Sequence, residues 1–129
     1  MPATSTITVM LVDDKPLPRY GLKFFLSTFA DLEVVAEAIN DVQALKLCSQ
    51  FHPDVLILAM PISGIDSPTI AKTLHDLCPS TKVLILTSFP EETLAQQTLQ
   101  AGAVGCLFKY SPSKELVTAI RAAHINPSP

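Results

Sequence analysis

Two apolar runs, VLILA at Val55–Ala59 and KVLILT at Lys82–Thr87, constrain what this chain can fold into more than any other feature. A strand with one face in water alternates polar and apolar residues. An apolar run without a polar break reads instead as a strand buried on both faces, as in a parallel sheet covered by helices. Three further segments fit the same scheme: Ile7–Val12 (ITVMLV), Leu32–Ala38 (LEVVAEA, partly alternating) and Val104–Phe108. Between them lie stretches with helical signals. Leu17–Ala30 spaces Leu17, Leu22, Phe25, Leu26 and Phe29 in helical fashion, with Pro16 and Pro18 suiting its first turn. Asn40 or Asp41 caps a helix to about Phe51. Asp66 or Ser67 caps another to about Cys78, with Pro68 in its first turn. Glu91–Ala101 opens on two acids and stops at Gly102, and Ser113–Ala123 closes the series.

Five strands alternating with five helices predict a doubly wound α/β domain with a five-stranded parallel sheet. The flavodoxin-like strand order 2-1-3-4-5 fits the length of 129 residues. Ligands in such folds sit at the carboxyl ends of the strands. Asp13, Asp14, Ala59, Thr87 and Lys109 all fall at such ends.

The remaining composition narrows the function. Charged residues make up 16% of the chain, against roughly 25% in an average soluble domain, which leaves a lightly charged surface suited to a protein partner. Net charge is −3 with no basic block, so DNA binding is expected only through an attached domain. No apolar stretch approaches a membrane span, and residues 1–8 lack the pattern of a signal peptide; a cytoplasmic location is expected. Cys48, Cys78 and Cys106 are widely spaced, without a metal-binding pattern, and read as buried or half-buried free thiols.

Two carboxylates after the first strand can hold a hard divalent cation such as Mg²⁺. A third carboxylate at the end of the third strand would complete the site and attack a phosphoryl donor. Lys109 would then pair with the acyl phosphate, and the Thr87 hydroxyl would bond a phosphoryl oxygen. Taken singly, an Asp-Asp pair is often a solvated loop, and a strand-end lysine or threonine is commonplace. Their convergence at neighbouring strand ends favours a site. Its centre, however, is Ala59.

These residues resemble the receiver domain of two-component response regulators, over Ile7 to Ala123. VMLVDDKPLPRYGL (Val9–Leu22) is similar to the VDDHPLxRxGL segment of the NarL/FixJ (LuxR-type) subfamily, with Lys15 in place of the histidine. AGAVGCLFKYSPSKEL (Ala101–Leu116) resembles its AGAxGYLLKxxxPxEL segment, and HPDVLILA followed by MPISGIDS its third strand and loop. The resemblance implies that Asp13 and Asp14 are the metal-binding pair, Thr87 the switch hydroxyl and Lys109 the phosphate-sensing lysine. It places Ala59 at the phosphoacceptor position, Ser63 where a loop proline is expected, Ser67 where a glycine is, and Cys106 at the aromatic switch position.

The expected function is therefore a receiver scaffold over residues 1–124 that lacks the acceptor aspartate and works through protein contacts. Residues 125–129 would begin a linker to a helix-turn-helix transcription-factor domain. No enzymatic activity and no cofactor are expected, with Mg²⁺ at Asp13 and Asp14 weak or lost. Lys109 would be left to pair with Asp13 or Asp14. A partner surface, including a homodimer contact, is expected after Thr87, at Glu91, Glu92, Gln96, Gln97, Gln100, Tyr110 and the last helix. One alternative is an engineered, non-phosphorylatable form of an ordinary Mg²⁺-dependent receiver; the linked departures at Ser63 and Cys106 favour natural divergence. The other is a small-molecule-binding α/β domain with an anion beside Lys109, which the absence of GxGxxG among only four glycines disfavours.

Overall fold

The computed structural model describes residues 6–60, 67–87, 96–97, 99–108 and 113–125. Its strands are β1 (Ile7–Val12), β2 (Leu32–Ala38), β3 (Val55–Met60), β4 (Lys82–Thr87) and β5 (Gly105–Phe108). They form one parallel sheet in the order β2-β1-β3-β4-β5. The helices with described bounds are α1 (Pro16–Ser27), α2 (Asp41–Phe51), α3 (Ser67–Leu77) and α4 (Ser113–Ile125). The structure thus gives four bounded helices where five are expected. Of the helix anticipated over Glu91–Ala101, residues 91–95 and 98 lie outside the described residues, and 96, 97, 99 and 100 are helical. No helix among the described residues is long and apolar enough to cross a membrane.

The alternation of side chains along the strands builds two cores. Met10 and Val12, Leu56 and Leu58, and Val83 and Ile85 pack with Ala44 and Cys48 of α2 and Ile70 and Leu74 of α3. On the other face Val9 and Leu11, Ile57 and Leu84 pack with Leu26 of α1 and Leu116, Val117 and Ile120 of α4. All six residues of β3 are buried, which is why its sequence carries no polar break. The partial alternation of β2 matches its place at the edge, where its middle residues are only half-buried.

α1 departs from the expected pattern at both ends. It stops at Ser27 rather than Ala30, because the hydroxyls of Ser27 and Thr28 donate to the carbonyls of Phe24 and Phe25 at 2.6 and 2.7 Å, and so satisfy its last turn. Leu17, grouped by spacing with the core residues, is 78% exposed. At ~100° per residue it falls on a second face with Tyr20 and Phe24, away from Leu22, Phe25, Leu26 and Phe29. Tyr20 and Phe24 are likewise exposed. α2 starts as expected, with the Asn40 side chain accepting from the Gln43 N–H. Strand β3 extends one residue further than anticipated, to Met60, while β5 starts one later, at Gly105. α4 runs to Ile125, taking in the first residue expected of the linker.

The amino ends of β1 and β3 are tied by one carboxylate. Asp54 Oδ2 accepts from the Thr8 backbone N–H at 2.9 Å and from the Thr8 hydroxyl at 3.1 Å, and Thr8 Oγ1 in turn accepts from the Asp54 N–H at 2.9 Å. Asp54→Ala removes both bonds to Oδ2 and leaves a part-buried N–H without its acceptor. A loss of about 2–3 kcal/mol in urea denaturation is expected. Asp54 lies at the far end of β3 from Ala59, so its role is confined to the scaffold.

Candidate functional site

The register places the strand ends. Val12 faces Leu58, Ala59 faces Leu86, and Met60 faces Thr87, which in turn faces Phe108. Asp13, one residue past Val12, therefore stands beside Ala59 at the carboxyl end of the two central strands. Thr87 ends β4 one strand away, level with Met60. Asp13 is 7%, Ala59 3% and Thr87 7% exposed, so this rim is closed over rather than splayed into water. Lys109, Ser63 and Asp66 lie outside the described residues, as do Glu91, Glu92 and Tyr110. Of the remaining candidate surface residues, Gln96, Gln97 and Gln100 are exposed.

Asp13 is buried because it continues the strand pairing. Its N–H donates to the Ala38 carbonyl at 3.0 Å, and its own carbonyl accepts from Arg19 Nη1 at 2.9 Å. Arg19 also binds Glu37 Oε1 through Nε at 3.0 Å, and Lys23 reaches Glu37 Oε2 at 2.9 Å. Burial of Glu37 pushes its carboxyl up, but the hydrogen bonds from Lys23 and Arg19 together outweigh it and hold the group below its ordinary value. A depressed carboxyl contributes stability that is present above its unfolded pKa and lost as pH falls through the folded one. This link between α1 and β2 therefore persists at neutral pH and fails only in acid.

Among the described residues, the cation at the acid pair is Lys15. Its backbone N–H donates to Asp13 Oδ1 at 2.9 Å, and its ammonium lies 3.0 Å from Asp14 Oδ1 and 4.0 Å from Asp13 Oδ1. Sequence reasoning noted Lys15 only as a departure and gave an ion-pairing role to Lys109, which lies outside the described residues. Its place immediately after the acids was the signal available. Arg19 and Glu37 carried no such signal, since their meeting depends on how α1 lies against β2.

A divalent ion does not fit the groups present. Ala59 supplies no side-chain oxygen, Oδ1 of each aspartate is engaged by Lys15, and no cluster of three His, Cys, Asp or Glu side chains able to hold a metal exists among the described residues. Cys106 pairs in register with Ile85 and is half-buried, and burial pushes its thiol pKa up. It borders a groove of about 700 Å³ formed by His75, Lys82, Val104, Gly105 and Ala119, among others. That groove lies at the amino ends of β4 and β5, and neither Asp13, Ala59 nor Thr87 lines it. Cys48 and Cys78 are fully buried free thiols, with Cys48 3.7 Å from the Thr81 hydroxyl.

Comparison with known proteins agrees with this architecture. The family model of the response regulator receiver domain matches residues 9–121. Among curated relatives, the transcriptional regulatory protein LiaR of Bacillus subtilis is 33% identical over 117 residues, 91% of this chain and 56% of LiaR. The oxygen regulatory protein NreC of Staphylococcus epidermidis is 35% identical over 117 residues, 90% of this chain and 54% of NreC. The chain thus spans about half the length of the curated relatives it matches. Among solved structures, the signal receiver domain of NarL from Mycobacterium tuberculosis superposes with a TM-score of 0.88 at 32% identity, covering 95% of this chain and all of that one. A LuxR-family two-component response regulator from Aurantimonas gives 0.86 at 30%, covering 92% and 84%. With the family model matching most of the chain and the strand order that of the receiver fold, the chain belongs to the response regulator receiver domain family, in its NarL/LuxR-type branch.

Proposed function

We propose that this receiver domain signals without an aspartyl phosphate. The observation that carries the reading is Ala59, a buried methyl group beside Asp13 at the end of the central strand. Phosphoryl transfer to a receiver requires a carboxylate oxygen to attack phosphorus, with its developing charge neutralised by a metal ion. A methyl group has no lone pair to offer. Asp13 and Asp14 stand at the end of β1 rather than β3, and Lys15 pairs with both. Asp54 stands at the other end of β3, bound to Thr8.

The two-state balance that phosphate sets in ordinary receivers must then be set by other contacts. The surface supports protein contacts: Leu17, Tyr20 and Phe24 form an exposed apolar stripe on α1, and Gln96, Gln97 and Gln100 are exposed after β4. The curated relatives are named as regulators of transcription and extend well beyond the matched segment. By that likeness the domain regulates an attached helix-turn-helix DNA-binding domain in the cytoplasm, and the helix expected over Glu91–Ala101 completes the five of the family fold.

The test is intact mass after incubation with acetyl phosphate and Mg²⁺, with Ala59→Asp run alongside. The expected result is no phosphoryl adduct on the native chain and a single adduct on the variant. An adduct on the native chain would overturn the proposal.

A further inference from the structure

We infer that Lys15 is an internal counter-ion that stands in for a divalent cation at the acid pair and weakens binding of any such ion there. The inference rests on the phosphate-independent reading of the same strand-end site and adds how that site is kept neutral.

Three observations converge on Lys15. The first is its double engagement. The backbone N–H and the ammonium of this one residue approach Asp13 Oδ1 at 2.9 and 4.0 Å, and the ammonium reaches Asp14 Oδ1 at 3.0 Å. A metal ion held by both aspartates would share these carboxylates with the ammonium.

The second is that Lys15 breaks a local rule. It is the N-cap of α1, extended at φ −100° and ψ 114°, and its side chain makes no capping hydrogen bond. Helix N-caps favour Ser, Thr, Asp or Asn, and a positive charge at a helix N-terminus opposes the helix dipole. α1 has no acidic residue in its first turn to offset that charge. A residue that violates local preference needs a compensating gain elsewhere, and the neighbouring carboxylates provide it.

The third is rigidity. Arg19 fixes the Asp13 carbonyl at 2.9 Å while bound to Glu37, and the Asp13 N–H is held by Ala38. The acid-bearing turn is therefore pinned from both sides. An incoming cation would meet the ammonium beside a backbone that is held in place.

The charge balance gives the direction and size. Among the described residues, two carboxylates and one ammonium leave a single negative charge, and an incoming divalent ion would meet the ammonium a few ångströms away. Unit-by-divalent repulsion at that range, in a water-like dielectric, weakens binding about tenfold. The effect shrinks as salt rises, since Lys15 is partly exposed.

Mn²⁺ titration followed by water-proton relaxation tests this on five chains: native, Lys15→Gln, Lys15→Arg, Ala59→Asp, and Ala59→Asp with Lys15→Gln. Lys15→Gln is expected to bind Mn²⁺ about tenfold tighter than native, and the double variant about tenfold tighter than Ala59→Asp alone. Lys15→Arg is expected to match native, because it keeps the charge. If the native site is too weak to titrate, the Ala59→Asp pair, with its third carboxylate, gives the same comparison. Affinities within twofold across the Lys15→Gln change would overturn the assignment, as would a tenfold gain from Lys15→Arg. Neither result bears on whether the native chain takes a phosphoryl group, and an adduct on the native chain would leave the Mn²⁺ comparison standing.

Discussion

Ala59→Asp is expected to destabilise the folded domain by about 2–4 kcal/mol at neutral pH without divalent cations. For a domain of this size that is a fall in Tm of about 10 °C. The physical cause is local. Residue 59 is 3% exposed, so a carboxylate there loses most of its hydration. It also enters beside Asp13, whose charge Lys15 already shares with Asp14. Burial and like charge both favour the protonated form, so the new carboxyl would have a raised pKa in the folded state. A group that binds its proton more tightly when folded loses stability as pH rises through its unfolded value, about 4 for aspartate. The gap between variant and native chain should therefore be small below that pH and widen above it. Urea denaturation of both chains across the acid range measures this directly. A gap that stays flat with pH would show that the cost is steric, and no gap at all would mean that residue 59 is not enclosed. The same substitution is the one expected to gain a phosphoryl adduct, so stability and chemistry can be read on one protein.

Gly102→Ala should cost about 3 kcal/mol, through two separate terms. The residue has φ +126°, a region in which a side chain adds roughly 1–3 kcal/mol of backbone strain. A Cβ built there would also lie 2.7 Å from His75 Cβ and 2.8 Å from its Cγ, closer than packed carbons come, and overpacking of this kind costs about 1–3 kcal/mol. Thermal or urea unfolding of Gly102→Ala gives the total. Repeating it with His75→Ala removes only the contact with the ring, so about 1 kcal/mol of the loss should return while the strain and the Cβ contact stay. A full recovery would mean the backbone tolerates the conformation, and none would mean that the ring moves aside unaided. The site matters because Gly102 and Ala103 lead into β5 where Val104 N–H donates to the Val83 carbonyl at 2.8 Å. A shift there propagates into the β4–β5 pairing that positions Thr87.

Some of this could be read along the chain and some could not. The strands were legible because burial on both faces writes itself as uninterrupted apolar residues: β2 and β4 fall at the expected residues, and β1 ends where the acids begin. Helix starts marked by Asn40 and Pro16 were legible for the same reason, since capping and proline geometry act within one turn. The two faces of α1 were less so. Leu17 and Leu22 look alike in a list of apolar residues, and only the angle around the helix separates the exposed one from the buried one.

What the sequence determined by itself is the alternating α/β order, the acids after β1, and a methyl group at residue 59. Each depends on residue type and on short-range periodicity, which a single chain displays without its partners. Tertiary structure decided which charges meet. Lys15 brings an ammonium to the acid pair, Arg19 bridges Asp13 and Glu37 across α1 and β2, and Gly102 meets His75 of α3. Those contacts depend on the pitch of α1, on the register shift between Val9 and Met10 where β1 meets β2, and on the depth at which helices seat against the sheet. Such quantities are set by the packing of the whole domain, and an offset of one residue would turn every side chain in a strand to the opposite face.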